Sequence, residues 1–220
     1  MDNPWQTLPS TPPYLTAADR PAVLLHNRQV AAPFQIRHDV LPEPYLGNPD
    51  ASVILLSFNP GFKESDIAFY AQAHVQALWH KNILHQPAAY PFYLLDPTLA
   101  DDVGGNRWWR RKLKPLLEGA GVAHVARQLC CIEFFPYHSL RYQGLKQVLP
   151  SQQYSFYLVR RALQHGAVIV IMRGEKLWMT VVPELTNYPQ LYRLNSSQNV
   201  TLSPRNCPTG FPIIQALLQC

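Results

Sequence analysis

Two apolar runs stand out along the chain. Ser52–Phe58 (Ser-Val-Ile-Leu-Leu-Ser-Phe) and Ala167–Met172 (Ala-Val-Ile-Val-Ile-Met) are short, uncharged and rich in Val, Ile and Leu. A strand covered on both faces reads as such a run rather than as an alternation. The first stops at Asn59-Pro60-Gly61 and the second at Arg173-Gly174, where proline and glycine break the pattern. Val125–Ile132 and Leu191–Leu194 predict two further strands. Helical spacing places Ile67, Tyr70, Ala71, Val75, Leu78 and Trp79 on one face of a helix over about 65–85, with Ser65 as N-cap. Further helices are predicted over about 107–118 (capped by Asn106, with Pro115 inside), 152–165 (capped by Ser151), 175–182 and 212–218. Strands alternating with helices predict an α/β fold around a central, mostly parallel sheet.

The first fifty residues read differently. Nine prolines between Pro4 and Pro49 forbid long helices. Trp5, Tyr14, Leu24, Leu25, Phe34 and Ile36 are too apolar for a free linker. Residues 1–40 are therefore expected to form an arm packed on a core domain spanning 41–220. One short helix near Thr16–Leu25 would hold Pro21 in its first turn. Leu41–Asn48 reads as the approach to the first strand. A long irregular connection, with Pro87, Pro91, Pro97 and Gly104-Gly105, follows the first helix, and loops of that length are often functional.

Composition narrows the class. The chain has 220 residues, 47% of them hydrophobic and 15% charged, enough for a sizeable core and against disorder throughout. A net charge of +5 suits a polyanionic partner. No run of ~18 apolar residues predicts a membrane span, and the start lacks the basic and apolar regions of a signal peptide. Cys130, Cys131, Cys207 and Cys220 form no Cys-x-x-Cys pair, which argues against a zinc ribbon or an iron–sulfur cluster and fits a reduced, cytoplasmic protein. His74, His80 and His85 lack metal-ligand spacing, and there is no phosphate-binding glycine loop. No metal and no cofactor are expected.

The candidate chemistry sits where strands end. Asn59-Pro60-Gly61 follows the first strand, on a loop leading to a helix. In open α/β sheets ligands bind outside the carboxyl ends of the strands, although Asn-Pro-Gly also reads simply as a turn. Glu133 to Ser139 follows the second strand, and Ser203-Pro204-Arg205-Asn206 follows the fourth. In order and spacing these three loops resemble the uracil-DNA glycosylase superfamily. Leu56-Ser57-Phe58-Asn59-Pro60-Gly61 is similar to its first motif, Gly-x-Asn-Pro-Gly. Ser203-Pro204-Arg205-Asn206 is similar to the third motif, His-Pro-Ser-Pro-Arg-Asn, of the single-strand-selective monofunctional uracil glycosylases. The resemblance covers about residues 40–220. It implies a three-layer α/β/α sandwich on a four-stranded sheet, and hydrolysis of an N-glycosidic bond in DNA repair after base flipping. It departs in three places. Thr201 stands where the family has its His, Glu133 stands at the base-reading Asn, and Ser57 replaces a Gly. A second register, with Asn195-Ser196-Ser197 over His-Pro-Ser, loses the Pro-Arg-Asn match.

The resemblance suggests roles. Asn59 would orient the attacking water through its amide oxygen, and backbone N–H groups near Gly61 and Phe62 would meet the base edge or its developing charge. Thr201 would be a weaker donor to the departing base than the family His. Pro60, Gly61, Phe62, Tyr70 and Glu133 would line the base site, with Phe62 ranked before Phe69 and Tyr70 as stacking partner. An ionised Glu133 only accepts hydrogen bonds, so it suits an exocyclic amine better than the O4 of uracil; a buried, protonated Glu could also donate. His138 is the histidine best placed for catalysis, on the loop after Glu133. Ser203, Pro204, Arg205 and Asn206 would meet DNA. Arg110 and Arg111, on a helix that also carries Trp108 and Trp109, would either follow phosphates or be merely solvated while the rings pack inward. The expectation is a monomeric glycosylase-like protein, not strictly uracil-specific, with DNA and no membrane as its partner. A fold of this kind that recognises modified bases or single-stranded DNA without cleaving is the alternative.

Overall fold

The computed structural model describes residues 1–99, 105–145 and 147–219; Gly104 and Cys220, named above, lie outside the described residues. In chain order the elements are α1 (Arg20–Gln29), β1 (Tyr45–Gly47), β2 (Val53–Ser57), α2 (Ser65–Tyr70), α3 (Ala73–Ile83), α4 (Asn106–Ala120), α5 (Val122–Gln128), β3 (Leu129–Glu133), α6 (Gln152–Gln164), β4 (Val168–Ile171), α7 (Glu175–Val181), β5 (Leu191–Arg193) and α8 (Phe211–Leu217), with short 3-10 turns between them. The sheet is mixed and five-stranded, in the order β1-β3-β2-β4-β5. β3, β2, β4 and β5 run parallel, and β1 adds an antiparallel edge.

The four-stranded expectation is corrected by β1. Tyr45–Gly47, expected only as part of the approach to the first strand, is itself a strand. It pairs Tyr45 with Ile132 and Gly47 with Cys130. Gly47 has φ +104°, and a Cβ there would lie 2.4 Å from the Leu129 carbonyl oxygen, so the pairing requires glycine.

Every residue of β2, β3 and β4 is buried. Successive strand side chains point to opposite faces, so both faces of these strands are covered. Right-handed crossovers explain how. The β2→β3 connection moves one way along the sheet and β3→β4 moves back past β2, which sends α2–α5 to one face and α6 to the other. The chain after β2 and the chain after β4 therefore leave in opposite directions. That divergence opens a crevice at the carboxyl ends of the central strands.

Several boundaries moved. The helix expected over about 65–85 is two helices, broken at Ala71-Gln72, and Ile67 and Ala71 are exposed rather than on the core face. The expected strand Val125–Ile132 begins as α5; Val125 and Ala126 are buried helix residues, and only Leu129–Glu133 is extended. Gly105, not Asn106, is the N-cap of α4. Ser151 precedes α6 as expected but makes no side-chain cap bond.

The arm is part of the core. Trp5, Leu15 and Val23 are buried in the same apolar cluster as the sheet. α1 begins at Arg20 with Pro21 in its first turn. Buried Asp19 accepts from Tyr137 Oη (2.7 Å) and from the Ser151 amide (3.0 Å), and Asn3 donates to Tyr45 Oη (3.1 Å) and the Ile83 carbonyl (2.7 Å). These bonds satisfy polar groups that burial would otherwise penalise by ~1–3 kcal/mol each.

Candidate active site at the carboxyl ends of the strands

A cleft of about 340 Å³ opens where the crossover argument places it. Ser57 closes β2, Glu133 closes β3 and Arg173 follows β4, and all three line it together with the Asn59–Lys63 loop. Ser57 and Glu133 are paired in register, so their side chains leave the same face of the sheet. Their shared position follows from β2 and β3 ending level with one another.

Asn59 is held by its amide nitrogen, which donates to the Pro60 carbonyl (3.0 Å) and to Ser139 Oγ (3.3 Å). That arrangement turns Oδ1 into the side chain's remaining polar atom, an acceptor able to orient a water. Gly61 bridges Ser139. A Cβ at Gly61 would meet nothing within 4 Å, so packing does not demand glycine here; its absence of a side chain leaves loop backbone facing the cleft. Phe62 lines the cleft, but Arg37 covers its ring at 4.0 Å from the centroid, a cation–π contact. Half-buried Tyr142 and Trp108 supply further aromatic walls.

Glu133 is almost fully buried, 4% exposed. Burial pushes its carboxyl up to about 8, against the opposing effect of nearby Ser57 and with Glu43 adding to the rise. Glu133 is therefore mainly neutral at pH 7, and the ionised acceptor expected from its residue type is corrected. Cys131 Sγ lies 3.9 Å from Oε1 as a donor, and Oε2 has no hydrogen-bond partner. An unmet buried polar atom of this kind costs ~1–3 kcal/mol, and such atoms in native folds call for an explanation.

A second carboxyl faces the same cleft. Glu43, buried between Pro42 and Pro44, accepts from Tyr70 Oη and from Tyr93 Oη (2.8 Å). Burial first, and the Glu43 charge second, hold both phenols well above the usual tyrosine value. Tyr70 thus lines the cleft as expected, but as a partner of Glu43. Its ring meets His138 edge-on. His138 also lines the cleft, yet both ring nitrogens face carbonyl oxygens, Nδ1 to Gly61 (2.6 Å) and Nε2 to Leu41 (3.1 Å). It has no nitrogen left for a substrate and instead ties the Gly61 loop to the segment before β1; the catalytic expectation for His138 is corrected on that ground.

The third loop stands apart. Thr201 does not line the cleft, and its hydroxyl donates to Asn199 Oδ1 (2.9 Å). Asn206 is consumed by its own loop: Nδ2 donates to the Asn199 (2.8 Å) and Thr201 (2.9 Å) carbonyls, and Oδ1 accepts from the Ser196 amide (2.9 Å). Ser203 accepts from the Asn206 amide (3.3 Å), while Pro204 and Arg205 are exposed. On α4, Trp109 packs on Phe92 (5.0 Å) and Arg110 donates to the Leu95 carbonyl (3.2 Å), whereas Arg111 is exposed. Trp109 is buried as the inward-packing reading expects, Trp108 is half-buried, and both border the cleft.

Glu43, Arg173, Trp108 and Tyr142 belong to the cleft without having been singled out as site residues. Arg173 had a signal, since it ends the strongest strand in the sequence. Its Nε donates to the Ser197 carbonyl (3.2 Å). Cys130 and Cys131 are free thiols that burial pushes up, which argues against either as nucleophile. Among the described residues no cluster of His, Cys, Asp and Glu could hold a metal ion, and no helix is long and apolar enough to cross a membrane. No family model, no curated protein and no solved structure matches the chain.

Proposed function

We propose that the protein is a DNA-base glycosylase-like hydrolase, which receives a flipped base in the strand-end cleft and cleaves its N-glycosidic bond. The observation that carries this reading is the pairing, in one cleft, of Asn59 with a spare amide oxygen and Glu133 with a spare carboxyl atom. The first suits a water, the second a base edge. Phe62, Trp108 and Tyr142 offer apolar walls for a planar ring, as flipped-base pockets do. Cleavage leaves negative charge on the departing base, and the Arg173 guanidinium and the Lys63 ammonium at the cleft are cations that offset it. The cytoplasmic, monomeric setting and the three-layer, uracil-DNA glycosylase-like form of the fold belong to the same proposal. So does DNA as partner, for which the net charge of +5 and exposed Arg107, Arg111 and Arg205 give support.

One observation favours a second reading, a recognition module that binds without cleaving. The third loop brings no donor into the cleft, because Thr201 is bound to Asn199. Losing a donor to the leaving group typically costs 10²–10³ in rate.

The test is a glycosylase assay on single- and double-stranded oligonucleotides carrying uracil, hypoxanthine, xanthine, mismatched thymine or modified cytosine, with abasic sites opened by alkali. Cleavage that disappears in Asn59→Ala supports the enzyme. Salt-sensitive binding with no cleavage of any substrate would replace it with the recognition module. Absence of both would sink the two readings together.

A further inference from the structure

The Glu133 carboxyl is asymmetric in its surroundings. Oε1 is the atom approached by the Cys131 thiol at 3.9 Å, so it takes the carbonyl-like, accepting role. Oε2 is the buried atom with no partner, on a side chain that lines the cleft. A neutral carboxyl has one O–H to donate. With Oε1 accepting, that proton belongs on Oε2, which has no hydrogen-bond partner in the protein.

We propose that Glu133 is the specificity-determining residue of the cleft, donating its acid proton from Oε2 to a ring carbonyl of the bound base, so that the site selects keto-bearing over amino-bearing rings only while that proton is in place. This deepens the glycosylase reading and rests on it for the nature of the ligand. It also reverses the preference expected of an ionised glutamate. An exocyclic amine has no lone pair to offer an O–H donor, whereas the carbonyl of a uracil- or hypoxanthine-type ring does. Once Glu133 ionises it becomes an acceptor on both oxygens. The ring carbonyl is then repelled and the amine favoured, and the selectivity inverts.

The groups around the carboxyl set where this happens. Glu43, from the segment before β1, raises the cost of a second negative charge; Arg173, after β4, lowers it; Ser57 on β2 and Cys131 on β3 favour the charged form; burial outweighs them all. Lys63, Asp66, Tyr70 and His138 share the cleft, so a pH effect must be assigned by substitution rather than by midpoint alone. Glu133→Gln is the informative change. Its amide keeps an acceptor and a donor at the same position but cannot titrate.

The experiment measures binding of two single-stranded oligonucleotides, identical except for one uracil or one cytosine, to the full-length protein and to Glu133→Gln at pH 6.5 and pH 9.0. Uridine and cytidine, read by quenching of tryptophan fluorescence, serve as second probes. For the unaltered protein the uracil-over-cytosine affinity ratio falls at least tenfold between the two pH values, with a midpoint near 8. For Glu133→Gln the ratio keeps its uracil preference and stays flat. Titration of the base itself is shared by both proteins and drops out of the comparison. A ratio that does not move in the unaltered protein, or moves equally in Glu133→Gln, overturns the proposal, whatever Asn59→Ala does to cleavage. Indifference to both oligonucleotides, with the pH-gated uridine preference intact, would instead sink the glycosylase reading and leave the role of Glu133 standing.

Discussion

The Asn59 loop and the Asn206 loop invite comparison. Asn59 precedes Pro60 and Asn206 lies two residues after Pro204, and each sits on a loop that follows a parallel strand. In space they behave oppositely. Asn206 commits Nδ2 to two carbonyls and Oδ1 to an amide of its own loop. Asn59 commits only its nitrogen, and beside it Glu133 keeps a buried oxygen with no partner. A polar side chain whose bonds are all met internally is holding a loop in shape. One that burial leaves unmet on a cleft-lining residue is a group a ligand would satisfy, since folding alone gives no return for the desolvation. Function is read from what remains unsatisfied, not from the motif.

The largest expected effect lies on the unsatisfied side. Asn59→Ala lowers single-turnover cleavage by about 10²–10³, in the range of a lost water-orienting group, with DNA affinity within about twofold by fluorescence anisotropy. Glu133→Gln comes next and acts on stability. The folded carboxyl titrates near 8 against a reference of 4.5. Between those values the folded state keeps a proton the unfolded chain has released, so stability falls as pH rises from about 4.5 to about 8 and is level above. Removing the titration gains on the order of 3 kcal/mol at pH 7, read as a Tm higher by roughly 5–10 °C. Calorimetry at pH 4.5 should show that gain gone. On the satisfied side, Asn206→Ala loses three internal bonds and costs about 1–3 kcal/mol, lowering Tm while the ratio of uracil to cytosine affinity stays put. Smallest is Gly61→Ala. No atom obstructs the new methyl, so Tm changes by less than about 2 °C, while base affinity drops if the ligand approaches that backbone closely.

Much of this site was legible in the chain because it depends on local pattern. The predicted strands ending at Phe58 and Ile132 put Ser57, Asn59 and Glu133 at one end of the sheet, and Pro60, Gly61, Phe62 and Tyr70 came with them. The environment of Glu133 was not legible. Its charge state depends on Glu43, some ninety residues earlier, on Arg173 and on burial, none of which a residue type announces. Glu43 was hidden between two prolines in a segment that did not look like a strand. His138 looked available because its two carbonyl partners, Gly61 and Leu41, come from distant segments. The third loop failed for a related reason: its path is set by Lys112 donating to Asn199 (2.7 Å) and by Arg173 at Ser197, contacts between elements far apart in sequence. α5 escaped notice since a stretch as short as Val122–Gln128, with Val122, Ala123, Val125 and Ala126 among polar residues, satisfies strand and helix patterns alike.

The comparison of the two loops reduces to one paired measurement: single-turnover cleavage of the best oligonucleotide substrate by Asn59→Ala and by Thr201→Val, each against the unaltered protein. Loss of about two orders of magnitude or more in the first, and a change below about twofold in the second, is the predicted result. A Thr201→Val protein as impaired as Asn59→Ala would place the third loop in the reaction and contradict the assignment of catalysis to the cleft between β2, β3 and β4.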